Sequence, residues 1–278
     1  MQKLEQIASQ VRRDVIRMVS GAQSGHPGGS LGCADFLTVL YFDIMKYNPS
    51  DFTMDGIGED VFFLSNGHLS PVWYSVLARA GYFEIEELAT FRKLGTRLQG
   101  HPCTHDNLPG IRMASGSLGQ GISVGIGTAI SKKMNNDPNF VHVLTGDGEL
   151  QEGQIWEAAL FAAAHKIDNI IVTVDYNKKQ IDGPTDEVIS LGDLHAKWEA
   201  FGWMVMETDG HNIPALQDTL KTARENTGHG KPIVILMHSE MGQGVDFMMG
   251  THKWRGSAPN AEQTEKALAQ LTETLGDY

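Results

Sequence analysis

FVHVLTGDGELQEGQIWEAALFAAAHKIDNIIVTVDYN, residues 140–177, sets two β-branched runs, FVHVLTG at 140–146 and IIVTVDYN at 170–177, on either side of the helical pattern QIWEAALFAAAHK. Strand, crossover helix and strand in that order form a right-handed parallel unit, whose consecutive strands usually lie side by side. The GDG at 146–148 and Asn177 then stand at the ends of neighbouring strands, where the Asp147 carboxylate and the Asn177 amide oxygen converge on one sheet edge. Two hard oxygen donors with coordination positions left for phosphate and water suit Mg²⁺. Glycines flanking Asp147 let the backbone approach an anion, and the helix expected from about Gln154 adds its positive end.

Outward from this unit the same alternation continues. VFFLS (61–65), WMVMET (203–208) and PIVILMH (232–238) read as further strands, and IPALQDTLKTAREN as a further helix. Strands alternating with helices predict an α/β fold: a parallel β-sheet with helices on both faces, binding its ligand beyond the carboxyl ends of the strands. Leu4, Ile7, Val11, Val15, Met18 and Val19 recur at three- and four-residue steps, which predicts a first helix ended by Gly21. SGHPGGSLG (24–32) reads as a Gly/Pro loop leading to an apolar helix near 31–45, and SKKMNNDPN (131–139) as a polar turn. Leu98 to Ser117 and residues 240–260 lack periodicity, and long loops in compact domains are usually functional. With no linker or internal repeat, residues 1–278 are expected to form one domain.

Composition narrows the function classes. With 34 acidic and 22 basic residues the formal charge is −12, so no nucleic-acid partner is expected, and a polyanionic ligand would need a cation or backbone amides to hold it. Cys33 and Cys103 are the only cysteines, which fits a reducing, cytoplasmic location, and no apolar run is long enough for a membrane helix. His101, Cys103 and His105 form an H-x-C-x-H string without the second cluster that a zinc site needs. GSLGQG (116–121) does not follow a strand as a dinucleotide fingerprint would, and no P-loop motif occurs.

Taken together, GDGELQEG with Asn177, SGHPGGSLG, SNGHLSPVWY (65–74), the GHP at 100–102 and GSLGQG resemble transketolase, in order and spacing, over the first portion of a full-length member. The resemblance implies thiamine diphosphate held through Mg²⁺, with Asp147, Asn177 and the backbone carbonyl of Lys179 as the metal's protein ligands. It implies that Gly148 contacts the diphosphate, that Gly116, Ser117 and Leu118 lie near the thiazolium and aminopyrimidine, and that Ile181 packs on the cofactor. Glu152 is similar to an acidic residue at the family's subunit interface, and His26, His68 and His101 to its active-site histidines. His142, His165 and His195 are expected to be structural or surface groups.

One position departs from the pattern: where the family's GTHxxHG-type segment has its last histidine, GTHKWRG places Arg255, with His252 three residues earlier. Arginine can bond a diphosphate but cannot relay a proton. In the family the activating glutamate and much of the sugar-phosphate clamp belong to a following domain. The resemblance therefore implies a partner subunit of C-terminal transketolase type, an α₂β₂ assembly, and ketol transfer between sugar phosphates. The alternatives are a subunit of a 1-deoxyxylulose-phosphate synthase-like enzyme or of a 2-oxo acid dehydrogenase, and a non-catalytic binding subunit.

Overall fold

The computed structural model describes residues 2–278. Helix α1 (Gln2–Ala22) buries the expected stripe, from Leu4 to Val19, and runs one residue past Gly21. The SGHPGGSLG stretch is not a loop throughout. Helix α2 (Pro27–Gly32) begins at its proline, and α3 (Ala34–Val39) follows with a π-turn over Leu40–Ile44, so the expected single helix is broken into three. The glycines here serve packing: a Cβ on Gly28 would fall 2.6 Å from the Met241 side chain, and one on Gly32 2.9 Å from the Glu240 carbonyl oxygen.

After β1 (Val61–Leu64) come α4 (Ser70–Arg79) and the long irregular segment, then α5 (Gly121–Met134). The latter absorbs the first four residues of the expected SKKMNNDPN turn. Strand β2 (Val141–Gly146), α6 (Gly153–Ala164) and β3 (Ile170–Tyr176) form the predicted unit. A 3₁₀ turn over Gly148–Gln151 separates Asp147 from α6, so the positive helix end is displaced from the GDG turn. The hairpin strands β4 (Lys179–Gln180) and β5 (Gly183–Pro184) then lead into α7 (Thr185–Val188), α8 (Leu194–Ala200), β6 (Met204–Asp209), α9 (Ile213–Glu225) and β7 (Ile233–His238). Helix α10 (Ala261–Gln270) comes last, its start fixed by a capping box in which Asn260 and Gln263 bond each other's backbone N–H.

The main sheet has the order β1-β2-β3-β7-β6 and every pairing is parallel. Its two faces feed separate cores. Phe62, Leu64, Leu144, Ile171, Ile233 and Ile235 pack with side chains of α1 to α4, α9 and α10. Val61, Phe63, Val141, Val143, Val172 and Val174 pack on the opposite side with α5, α6 and α8. A sheet covered on both faces leaves its strand ends as the place where loops and ligand can meet. Among the described residues no helix is long and apolar enough to cross a membrane.

Candidate active site

The carboxyl ends of four adjacent strands supply the site. Strand β1 leads into Ser65-Asn66-Gly67-His68, β2 into Asp147-Gly148, β3 into Asn177-Lys178-Lys179, and β7 into Ser239-Glu240 and the loop that carries Arg255. Gly146 pairs with Asp175, so the two chain segments expected to hold a cation are neighbours in register.

Asp147 is fully buried, its Oδ1 accepting from the Gly148 N–H at 2.7 Å and its Oδ2 from the Lys178 N–H. Burial, and then the charge of Asp175, push its carboxyl up to about 7. Among the described residues no cationic side chain lies within ion-pair distance of it; the Arg255 charge favours its ionised form only from farther off, and a divalent cation would supply a closer counter-charge. Asn177 donates from Nδ2 to Asp175 Oδ2 at 2.9 Å, leaving Oδ1 as its free-facing acceptor apart from the Lys179 N–H. Asp175 thus decides which end of the amide is available to a metal. Lys178 has φ of 60°, and this left-handed residue turns the chain so that Lys179 starts the β4–β5 hairpin. No group of three His, Cys, Asp or Glu is placed to hold a metal among the described residues; the expected set here is one carboxylate, one amide and one carbonyl.

Above these donors lies a cavity of about 450 Å³ lined by His26, His68, His101 and Arg255, with Gly116, Leu118, Gly148, Glu152 and Ile181. Most of the residues singled out from the sequence therefore meet in one place. The imidazole centroids of His26 and His68 are 5.1 Å apart, and those of His26 and His101 6.2 Å. His26 Nδ1 donates to the Arg255 carbonyl, which fixes the tautomer and leaves Nε2 as the acceptor. Burial lowers the His26 pKa to about 4, with Arg92 adding to the effect; burial and the Arg255 charge hold His68 well below the ordinary value, and burial and Arg92 lower His101. All three rings are neutral near pH 7, suited to hydrogen-bonding hydroxyl and carbonyl oxygens more than to strong-base chemistry.

Arg255 is 8% exposed. Among the described residues its guanidinium makes one hydrogen bond to protein, Nη1 to the Lys179 carbonyl at 2.9 Å, and no ion pair. Its charge acts on the carboxylates of Asp147, Asp175 and Glu149 from beyond ion-pair distance, and its remaining donors are free to bond an anion in the cavity.

Asp147 and Asn177 sit beneath the cavity and do not line it, while Ser117 is exposed outside it and His252 is also not a lining residue. His142 is buried in β2, and His195 pairs on the surface with Glu207 at 2.7 Å. Gln151, Gln180, Asp182, Val188 and Ile189 line the cavity without having been singled out; Asp182 lies in the Ile181-Asp182-Gly183 stretch that follows Asn177, the available signal for it. In a second depression, of about 480 Å³, Asp35 is already bonded by both Arg12 and His211.

Residues 4–276 match the family described as transketolase, thiamine diphosphate binding domain. The chain belongs to the transketolase family. Across 269 residues it is 40% identical to the 6-deoxy-6-sulfo-D-fructose transketolase subunit SqwG of Clostridium sp. (strain MSTE9), covering 96% of each chain. It is 37% identical to one of the named subunits of the apulose-4-phosphate transketolase of Phocaeicola vulgatus, over 99% of this chain and 96% of that one. Against human transketolase it is 31% identical over 98% of its own length but 42% of the other. The solved transketolase of Campylobacter jejuni superposes with a TM-score of 0.90 at 33% identity, over 98% of this chain and 43% of that one. Transketolase-family domains of this type bind thiamine diphosphate, and the residues present fit it with a divalent cation: a buried carboxylate in no ion pair, an amide whose nitrogen is engaged by Asp175, and a guanidinium with one hydrogen bond to protein.

Proposed function

We propose that this chain is the cofactor-binding subunit of a split, cytoplasmic transketolase, and that a second subunit of C-terminal transketolase type completes its active site in an α₂β₂ assembly. The observation that carries the reading is one cavity lined by the three histidines, Arg255 and Gly148, next to the neighbouring strand ends that carry Asp147 and Asn177. Its rim supports a missing partner: Ile181 and Ile189 are 62% and 59% exposed beside the cavity, apolar surface that a second chain would cover. Near-complete coverage of relatives named as subunits, against less than half of a full-length transketolase, agrees with this.

When bound, thiamine diphosphate supplies a stabilised carbanion. The chain's own residues bind and orient it. Asp147, the Asn177 amide oxygen and the Lys179 carbonyl would hold Mg²⁺, while Arg255 would bond the diphosphate. Gly116, Leu118 and Ile181 would confine the rings, and Glu152 would meet the partner. His26, His68 and His101 would hydrogen-bond hydroxyls of the donor ketose and the oxygen on which charge develops, with His26 held in one tautomer by the Arg255 carbonyl. The reaction is transfer of a two-carbon ketol unit from a ketose phosphate to an aldose phosphate.

The chain and a second subunit of C-terminal transketolase type are expected to transfer ketol units only when the two are mixed, with thiamine diphosphate and Mg²⁺ present, as followed by aldose formation from a panel of ketose phosphates. Robust transfer by the chain alone would remove the need for a partner, and turnover of pyruvate as donor would move the assignment to another thiamine diphosphate reaction.

A further inference from the structure

Glu149, the residue after the GDG turn, is 1% exposed and takes part in none of the roles above. Its carboxylate receives four donors from three parts of the chain. Oε1 accepts from the Ser65 hydroxyl at the end of β1 and from the Gly119 N–H at 2.7 Å; Oε2 accepts from the Thr145 hydroxyl at 2.7 Å and the Gly146 N–H at 3.1 Å. One oxygen is tied to the turn that carries Asp147, the other to the GSLGQG segment and the neighbouring strand. The attachment continues through Ser65, whose Oγ accepts from the Gly121 N–H at 3.1 Å and so holds the start of α5. There is no room for a side chain in this contact, since a Cβ on Gly121 would fall 2.4 Å from Ser65 Oγ.

GSLGQG is the cavity wall that contributes Gly116 and Leu118. Gly116, at φ of 129°, packs so closely on His101 that a Cβ there would be 2.7 Å from the imidazole Cδ2. Any displacement of the wall is therefore felt by that ring as well. We infer that Glu149 is a positioning residue that sets the distance between the diphosphate end of the site, at Asp147-Gly148, and the wall against which the cofactor's rings lie. This rests on the thiamine diphosphate reading given above. Ser, Thr and Gly donors on a single buried carboxylate make the spacing stiff, because releasing any one leaves a polar group unpaired inside the protein.

The consequence is a selective one. A ligand that occupies only the diphosphate end should not sense the wall, whereas the whole cofactor should. The test is calorimetric titration of the full chain, together with its second subunit, with thiamine diphosphate and with inorganic pyrophosphate, both in excess Mg²⁺. Glu149→Gln, which keeps one acceptor oxygen and turns the other into a donor, is expected to weaken thiamine diphosphate on the order of tenfold while pyrophosphate stays within about twofold. Hydrogen exchange is expected to quicken at residues 116–121 and not at residues 141–144 of β2, whose N–H groups do not bond Glu149. Ser65→Ala, which retains the carboxylate, is expected to give the same selectivity in milder form and serves if Glu149→Gln does not fold. A parallel fall for both ligands, or no fall for either, overturns the inference. Failure of the wild-type protein to bind either ligand, or an Asp147→Ala variant that binds both normally, would instead overturn the cofactor reading itself.

Discussion

Replacing Asp147 with alanine is expected to weaken Mg²⁺-dependent thiamine diphosphate binding by about 100-fold or more, beyond the ~10–100-fold typical of losing a group that merely orients a ligand. The fold should survive. As a buried carboxyl pushed up to about 7 by burial and Asp175, Asp147 is an unfavourable ion in the metal-free protein, and its removal relieves that cost. Against this stand two lost hydrogen bonds, to the N–H groups of Gly148 and Lys178, each worth about 1.5–3 kcal/mol as bonds to a charged group. The upward shift persists with both of these bonds in place, so the ionised carboxylate is a net cost to the metal-free protein and its loss is expected to leave the chain folded. Calorimetry with and without Mg²⁺, beside thermal unfolding, checks both halves; unchanged affinity in a folded variant contradicts the metal assignment.

Arg255→Ala is expected to lower thiamine diphosphate affinity by about 10–100-fold, the equivalent of one or two charge-assisted hydrogen bonds. Free thiamine, which lacks the anion, should bind the variant and the wild-type protein alike. In the metal-free protein the guanidinium bonds the Lys179 carbonyl, the same oxygen expected to hold Mg²⁺, so the side chain already lies beside the cation's place before any ligand arrives. Arg255→Lys should fall between the two, since an ammonium keeps the charge but loses the planar fork. Unaltered thiamine diphosphate affinity with a raised KM for the sugar donor would place the guanidinium on the substrate instead. The His26 contact is made by the Arg255 backbone carbonyl, so these side-chain changes leave the donor to that oxygen in place.

The sheet was legible because each strand is a short β-branched or aromatic run flanked by helical periodicity, and all five lie where those runs occur. The Asp147–Asn177 juxtaposition followed from one topological rule about consecutive parallel strands. Helix α2 was hidden for a tertiary reason: Gly28 and Gly32 have the composition of a loop, yet they are required by the closeness of Met241 and Glu240, more than 200 positions away. Helix α10 is not among the expected elements although its capping-box residues, Asn260 and Gln263, stand plainly in the sequence. Glu149 could not be distinguished from a surface glutamate, because nothing local announces that Ser65 and Gly119 will surround it. Arg255 was noticed only as a departure from the transketolase pattern; that its guanidinium is buried without an ion pair is a property of the fold.

Cofactor binding at this site depends on a divalent cation seated between the ends of β2 and β3. Crystals of the complex grown with thiamine diphosphate and Mn²⁺ in place of Mg²⁺ allow that ion to be located by its anomalous scattering. The expected peak lies within about 2.0–2.4 Å of Asp147, the Asn177 amide oxygen and the Lys179 carbonyl. An ion found elsewhere, with those three groups facing only protein, would contradict it.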